Sequence, residues 1–184
     1  MANIYTAAVI TLSDKASQGQ RVDTSGPALC SILEGDGWTV THTAILPDDV
    51  EAIKAELIRC ADELGVCLVC TTGGTGFSPR DVTPEATKAV IERECPGIPE
   101  AMRAESLRIT PRGCLSREAA GIRGSTLIIN CPGSEKAARE CIGAVLPALK
   151  HGIEMLRGWS GECASSHEHH HHEHHHHDHA NGGN

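Results

Sequence analysis

The chain has 184 residues, 40% of them hydrophobic, and a net charge of −8. No run of 18 apolar residues is available to span a membrane, and the acidic balance argues against non-specific nucleic-acid binding, which needs a basic face. Nine cysteines, an odd number spread along the chain, suit buried free thiols in a cytoplasmic protein better than a disulfide framework.

Residues 1–166 suffice for one α/β domain with its own core. Residues 167–184 have a different composition; their three acidic side chains leave the rest of the chain at −5. The opening MANIYTAAVITLSD lacks a basic stretch, and its apolar run stops at Ser13-Asp14. It reads as a buried strand rather than a signal peptide. Ile4–Leu12 is almost continuously apolar, as in a strand covered on both faces. Ser25-Gly26-Pro27 opens a helix running to Gly35 or Gly37, with Pro27 suited to its first turn. Trp38–Ile45 alternates as a second strand. Pro47-Asp48-Asp49 leads into a periodic helix, Val50–Leu64, with Ile53, Leu57, Ile58 and Ala61 on one face. Asp48 with Glu51 spells a capping box for it.

Gly65 ends that helix, and Val66–Cys70 is the third strand. Cys67 and Cys70 spell C-x-x-C. In a strand such positions point to opposite faces, and no second pair completes a zinc set, so no metal or redox role is assigned. Thr83-Pro84-Glu85 starts a helix with Thr83 as N-cap. Among Pro96, Pro99 and Pro111 lies a short helix, Glu100–Arg108. Ser125–Asn130 is another buried strand, and a helix follows from Glu135 towards Leu156. Ser134 suits its N-cap, and Pro147 is placed to bend it.

Strands alternating with helices specify an α/β fold whose mainly parallel sheet carries helices on both faces. Ligands then sit at the carboxyl ends of the strands. Those ends are Ser13-Asp14-Lys15, Pro47-Asp48, Thr71–Asp81 and Asn130–Ser134. The run Thr72, Gly73, Gly74, Thr75, Gly76 can turn sharply and aim several backbone N–H groups at one point. A phosphate or pyrophosphate is one natural guest; a plain tight turn is the alternative. The spacing is neither the P-loop nor G-x-G-x-x-G.

Asp48 and Asp81 each have a helix-capping explanation. Two carboxylates at neighbouring strand ends beside a phosphate loop are also what a Mg²⁺–nucleotide reaction requires, because hard cations take oxygen ligands. Ser13 and Asp14, and Pro132, Gly133 and Ser134, can extend such a pocket. Ser116 and Arg117 add a hydroxyl and a guanidinium suited to anions, although an exposed ion pair explains Arg117 equally well.

TTGGTGFSPRDVTPEAT, with SDKASQG…D-SGP (the D being Asp23) and ILPDD upstream and LSREAAGIRGSTLIINCPGS downstream, closely resembles the molybdopterin adenylyltransferases. These comprise the bacterial Mog-type proteins and the G domains of plant Cnx and animal gephyrin. The resemblance covers about residues 4–156. It implies a single-domain, three-layer α/β/α sandwich, assembly as a homotrimer, and Mg²⁺-dependent transfer of AMP from ATP to the terminal phosphate of molybdopterin. Pyrophosphate is released, and the product passes to a molybdenum-insertion enzyme. The resemblance selects Asp48 and Asp81 as catalytic, Mg²⁺-binding residues and the glycine loop as the phosphate holder. Ser13, Asp14, Ser116, Arg117, Pro132, Gly133 and Ser134 would line the nucleotide and pterin pockets.

One departure from the family appears: Pro132-Gly133-Ser134-Glu135 stands where many relatives read P-G-N-P or P-G-Q-P. The same fold also hosts non-catalytic molybdopterin-binding and handover proteins, a reading that loss of either aspartate would favour; both are present. A pyridine-nucleotide enzyme of the competence-damage-inducible type would bring a further domain.

In the tail, His167, His169, His170, His171, His172, His174, His175, His176, His177 and His179 are interrupted only by Glu168, Glu173 and Asp178. Nothing apolar is available there to bury, so disorder without a ligand is expected. Imidazoles in this density suit Ni²⁺, Zn²⁺ or Cu²⁺. The acidic interruptions favour a native metal-buffering tail over an affinity tag.

Overall fold

In the computed structural model, which describes residues 3–159, one sheet contains six strands. They are β1 (Thr6–Leu12), β2 (Thr39–Leu46), β3 (Leu68–Thr72), β4 (Arg93–Glu94), β5 (Ala120–Arg123) and β6 (Thr126–Cys131). Their order is β2-β1-β3-β6-β5-β4. The first four in that order are parallel, and β5 and β4 add an antiparallel edge. Six α-helices lie among the described residues: α1 (Asp14–Ser17), α2 (Ser25–Gly35), α3 (Val50–Ile58), α4 (Thr83–Val90), α5 (Gly97–Ile109) and α6 (Glu135–Arg157). A π-helical turn, Arg59–Glu63, prolongs α3, and a 3₁₀ turn, Pro111–Leu115, follows α5.

The period-two geometry of a strand divides the core into two layers. Ala7 and Val9 of β1 pack with Leu29, Leu33, Met102, Ile142 and Ile153 of α2, α5 and α6. Ala8, Ile10 and Leu12 pack with Ile53, Leu57, Ala86 and Val90 of α3 and α4. The result is the expected α/β/α layering on a mostly parallel sheet. α6 runs through Pro147 unbroken, because the carbonyl that the proline leaves without a donor belongs to exposed Gly143.

Several local expectations change. The N-cap of α3 is Asp49, whose side chain accepts from the Ala52 N–H at 2.8 Å; Asp48 is not the cap. Val82 caps α4 by position, and Thr83 is its first helical residue. α5 starts at Gly97, since Pro99 fits a first turn whose N–H groups have no helical partner. Cys67 precedes β3, outside its regular pleat, so it joins Cys70 in one core layer instead of facing away from it. The strands β4 and β5 have no counterpart in the sequence pattern. The histidine-rich tail and the expectations attached to it fall outside the described residues.

Register sets up the site. Leu12 pairs with Leu46, while Thr11, Thr72 and Cys131 align across β1, β3 and β6. The chain therefore leaves four neighbouring strands at one edge of the sheet.

Candidate active site

At that edge the glycine loop is held by its neighbours. The Gly73 N–H donates to the Cys131 carbonyl at 3.1 Å, and the Thr83 hydroxyl donates to the Gly73 carbonyl at 2.9 Å. The Thr83 N–H donates to the Gly74 carbonyl at 3.1 Å. Gly73 has φ +104°, and a Cβ there would meet the Leu12 carbonyl oxygen at 2.2 Å. Gly74 has φ +63°, and a Cβ there would lie 2.3 Å from the Thr83 hydroxyl and 3.1 Å from Asp48 Oδ1. Both positions thus need glycine for conformation and for space.

With Asp49 serving as cap, Asp48 is free for another role. Its Oδ2 accepts from the Asp14 N–H at 3.0 Å, and Asp14 Oδ1 accepts from the Asp48 N–H at 3.0 Å. This reciprocal pair ties the β1 and β2 exits together. Arg80, from the loop after β3, grips Asp14 with Nε and Nη2, each at 2.9 Å. Those hydrogen bonds, with help from the Asp48 N–H, hold the Asp14 carboxyl below its usual range. Burial pushes Asp48 the other way, and the neighbouring charges of Asp14 and Asp81 add to the rise. Asp48 Oδ1 is buried without a hydrogen-bond partner among the described residues. Asp81 accepts from the Ser78 N–H through Oδ2 at 2.8 Å.

Asp48 and Asp81 line one open cavity of about 410 Å³, together with Ser13, Thr72, Gly73, Gly74, Gly133 and Ser134. Ser134 caps α6 by accepting from the Ala137 N–H at 3.3 Å, which brings that helix's N-terminus to the wall. Helix N-termini favour anions. The other residues singled out by sequence lie off the wall. Asp14 is engaged with Asp48 and Arg80. The Pro132 carbonyl accepts from the Thr72 hydroxyl at 2.7 Å. Thr75 and Gly76 serve Arg117: the Thr75 carbonyl accepts its N–H at 2.9 Å, and the Gly76 carbonyl accepts from Nε at 2.6 Å. Arg117 Nη2 also reaches the Asp81 carbonyl at 2.6 Å, and Nη1 pairs with Glu85. Its guanidinium is a strut for the 76–81 loop. Ser116 sits beside buried Glu118.

The cavity also contains Thr11, Arg21, Asp23, Thr24 and Ser25, to which the sequence pattern assigns no role. Asp23 Oδ2 accepts from the Thr11 hydroxyl at 2.6 Å, and Oδ1 accepts from the Gly26 N–H at 3.0 Å. The available signal is Asp23 two positions before Ser25-Gly26-Pro27, which the family resemblance includes in its D-SGP motif without giving it a role. The wall as a whole offers hydroxyls, backbone amides and carboxylates. Two nearby carboxylates, one with an unpartnered buried oxygen, are a donor set that suits a hard cation. The Gly74 amide and a helix N-terminus suit phosphate, although the Gly73 amide is spent on the Cys131 carbonyl and the run does not aim all its N–H groups at one point.

The family profile described as "Probable molybdopterin binding domain" matches residues 8–151. A molybdopterin adenylyltransferase of Helicobacter pylori strain J99 is 43% identical over 152 residues, which are 82% of this chain and 86% of that protein. Gephyrin of Dictyostelium discoideum is 44% identical over 162 residues, 83% of this chain but 22% of that much longer protein. Among solved structures, the molybdopterin biosynthesis enzyme MoaB of Thermus thermophilus superposes with a TM-score of 0.81 at 45% identity, covering 84% of this chain and 98% of that one.

Proposed function

The chain belongs to the molybdopterin-binding domain family, and from that membership we propose that it is a molybdopterin adenylyltransferase of molybdenum cofactor biosynthesis. It transfers AMP from ATP to the molybdopterin phosphate and releases pyrophosphate. The observation that carries this reading is the strand-end cavity, where the buried, unpartnered Asp48 Oδ1 and the Asp81 carboxylate lie beside the Gly73–Gly74 turn.

Attack of one phosphate on another is opposed by charge repulsion, so the protein's task is positioning and charge neutralisation. The Gly74 amide and the α6 N-terminus bind phosphate oxygens, while the Gly73 amide, spent on the Cys131 carbonyl, holds the turn in place. The Arg80–Asp14–Asp48 chain fixes the Asp48 carboxylate, and the Arg117 strut fixes the backbone that carries Asp81. Asp48 and Asp81 would hold Mg²⁺, which when bound neutralises charge on the pyrophosphate leaving group. Burial raises the Asp48 carboxyl, and a cation held there would favour its charged form.

The test is pyrophosphate release by purified protein given ATP, molybdopterin and Mg²⁺. Turnover is expected, and it should fall by about 10²-fold or more in Asp81→Asn. Molybdopterin binding with no pyrophosphate release would instead identify a handover protein. Assembly as a homotrimer and delivery to a molybdenum-insertion enzyme complete the reading. The tail histidines form a separate Ni²⁺, Zn²⁺ or Cu²⁺ buffer. Truncation after Ser166 should remove most of that binding and spare transfer; transfer lost with the tail would refute the separation.

A further inference from the structure

A second cluster of metal-ligating type lies between β2 and α3, and none of its residues lines the cavity. His42 stands on the edge strand β2, on the face that turns Ala44 and Leu46 towards α3. Glu56 and Cys60 follow one helical turn apart, Glu56 on α3 and Cys60 in the π-helical turn Arg59–Glu63. A widened turn of this kind is uncommon and recurs at functional sites. One ligand atom from each of the three residues lies within 4.8 Å of the other two. His42 Nε2 is 2.6 Å from Glu56 Oε1, and Cys60 Sγ is 3.9 Å from the same oxygen.

A positive group already occupies the centre. Arg59 Nη2 lies 2.8 Å from His42 Nε2 and 2.8 Å from Glu56 Oε1. It therefore sits where a cation bridging those two atoms would sit. The Arg59 side chain is 36% exposed and can swing into solvent, whereas Glu56 is 14% exposed and cannot turn away as easily. Cys60 is fully buried at the edge of the core beneath them.

We propose that His42, Glu56 and Cys60 form a second metal site for a divalent cation of borderline softness, of the Zn²⁺ or Co²⁺ kind, with Arg59 as a built-in competitor that leaves when the metal enters. Imidazole and thiolate select such ions against Mg²⁺. On binding, the Cys60 S–H bond breaks, its proton goes to solvent, and the sulfur electron pair forms the metal bond. The three Arg59 contacts break at the same time: Nη2 with His42 Nε2 and with Glu56 Oε1, and Nε with Glu56 Oε2 at 3.0 Å. Burial pushes the Cys60 thiol up to about 12, so this sulfur stays protonated until a metal displaces the proton. Bond lengths of about 2.0–2.3 Å place tetrahedral ligand atoms about 3.3–3.8 Å apart, so His42 and Glu56 must separate by about 1 Å and Cys60 must draw in from its 3.9 Å distance to Glu56. The metal would clamp the edge strand to α3 across the loop that bears Asp48 and Asp49.

Cobalt titration of the full chain tests this, because thiolate ligation gives a near-ultraviolet sulfur-to-cobalt charge-transfer band that the tail imidazoles cannot give. We expect the band in the wild type, its loss in Cys60→Ser and in His42→Gln, and its displacement by Zn²⁺. Arg59→Met, which keeps the apolar stem, should raise the apparent cobalt affinity by about tenfold or more, on the scale of other groups that surround metal ligands. Matching far-ultraviolet circular dichroism confirms that each variant is folded. A band that survives Cys60→Ser, or no band in either the wild type or Arg59→Met at saturating cobalt, would overturn the site. Unchanged affinity in Arg59→Met would overturn the competitor.

Discussion

Replacing Glu118 by glutamine should make the stability of this protein less dependent on pH. Glu118 follows the Arg117 strut, is 5% exposed, and has an Oε2 without a hydrogen-bond partner among the described residues. Burial pushes its carboxyl from 4.5 up to about 7, although the Ser116 hydroxyl and the Arg103 charge pull the other way. For an acid whose folded value is raised, the folded chain binds the proton more tightly than the unfolded chain. Stability is therefore greatest below about 4.5, falls as pH rises to about 7, and levels off beyond. At about 1.4 kcal/mol per pH unit, the full effect is about 3 kcal/mol. Glutamine keeps the shape and cannot ionise, but its amide N–H groups need acceptors and can cost about 1 kcal/mol or more at every pH. Urea unfolding from about pH 4.5 to 8 should show the wild type losing stability relative to Glu118→Gln. The variant should be the more stable of the two at the alkaline end. Two parallel stability profiles would show that Glu118 is not an ionising buried carboxyl, and the reasoning from its burial would fail.

The two adjacent aspartates should separate cleanly. Asp49→Ala removes the α3 cap and should cost about 1 kcal/mol of unfolding free energy while leaving pyrophosphate release unchanged. Asp48→Asn should cut release by about 10²-fold or more without lowering the unfolding midpoint at neutral pH, since it removes a charge that burial disfavours; a large fall in midpoint would mark Asp48 as structural. Gly74→Val should lower the unfolding midpoint as well as weaken molybdopterin binding, because its Cβ would lie 2.3 Å from the Thr83 hydroxyl that holds the Gly73 carbonyl; an unchanged midpoint would refute that close approach. Arg117→Met frees the Gly76 and Asp81 carbonyls and should reduce kcat/KM by about tenfold or more through misplacement of Asp81. Unaltered kinetics would show that the strut is dispensable.

The sheet is legible where strands are buried on both faces. β1, β3 and β6 read as continuous apolar runs, so alternation with helices follows from the chain alone. β4 and β5 are not legible: they have two and four residues, and β5 is placed by β6, and β4 by β5, more than by their own side chains. On paper the Asp48-x-x-Glu51 spacing points to Asp48 as the cap of α3, whereas Asp49 is the cap in the fold. Extended backbone at Asp49, with φ −124° and ψ 123°, decides between them. The placement of Asp48, Asp81 and the glycine run at strand ends is likewise available in advance, because strand ends are marked by local pattern.

The partners of those residues are not available in the same way. Asp14 meets Asp48 because β1 and β2 end in register, and Arg80 reaches Asp14 from 66 positions away along the chain. The same long-range register gives Arg117 to loop carbonyls and brings Thr11 and Asp23 to the cavity wall. Sequence by itself determined the order of the elements and the chemical kinds of group at their ends, since periodicity and turn residues act over a few positions. Only the tertiary structure decided which of those groups line the cavity and which brace the loops. That choice rests on distances between segments remote in the chain, and no local pattern encodes such distances.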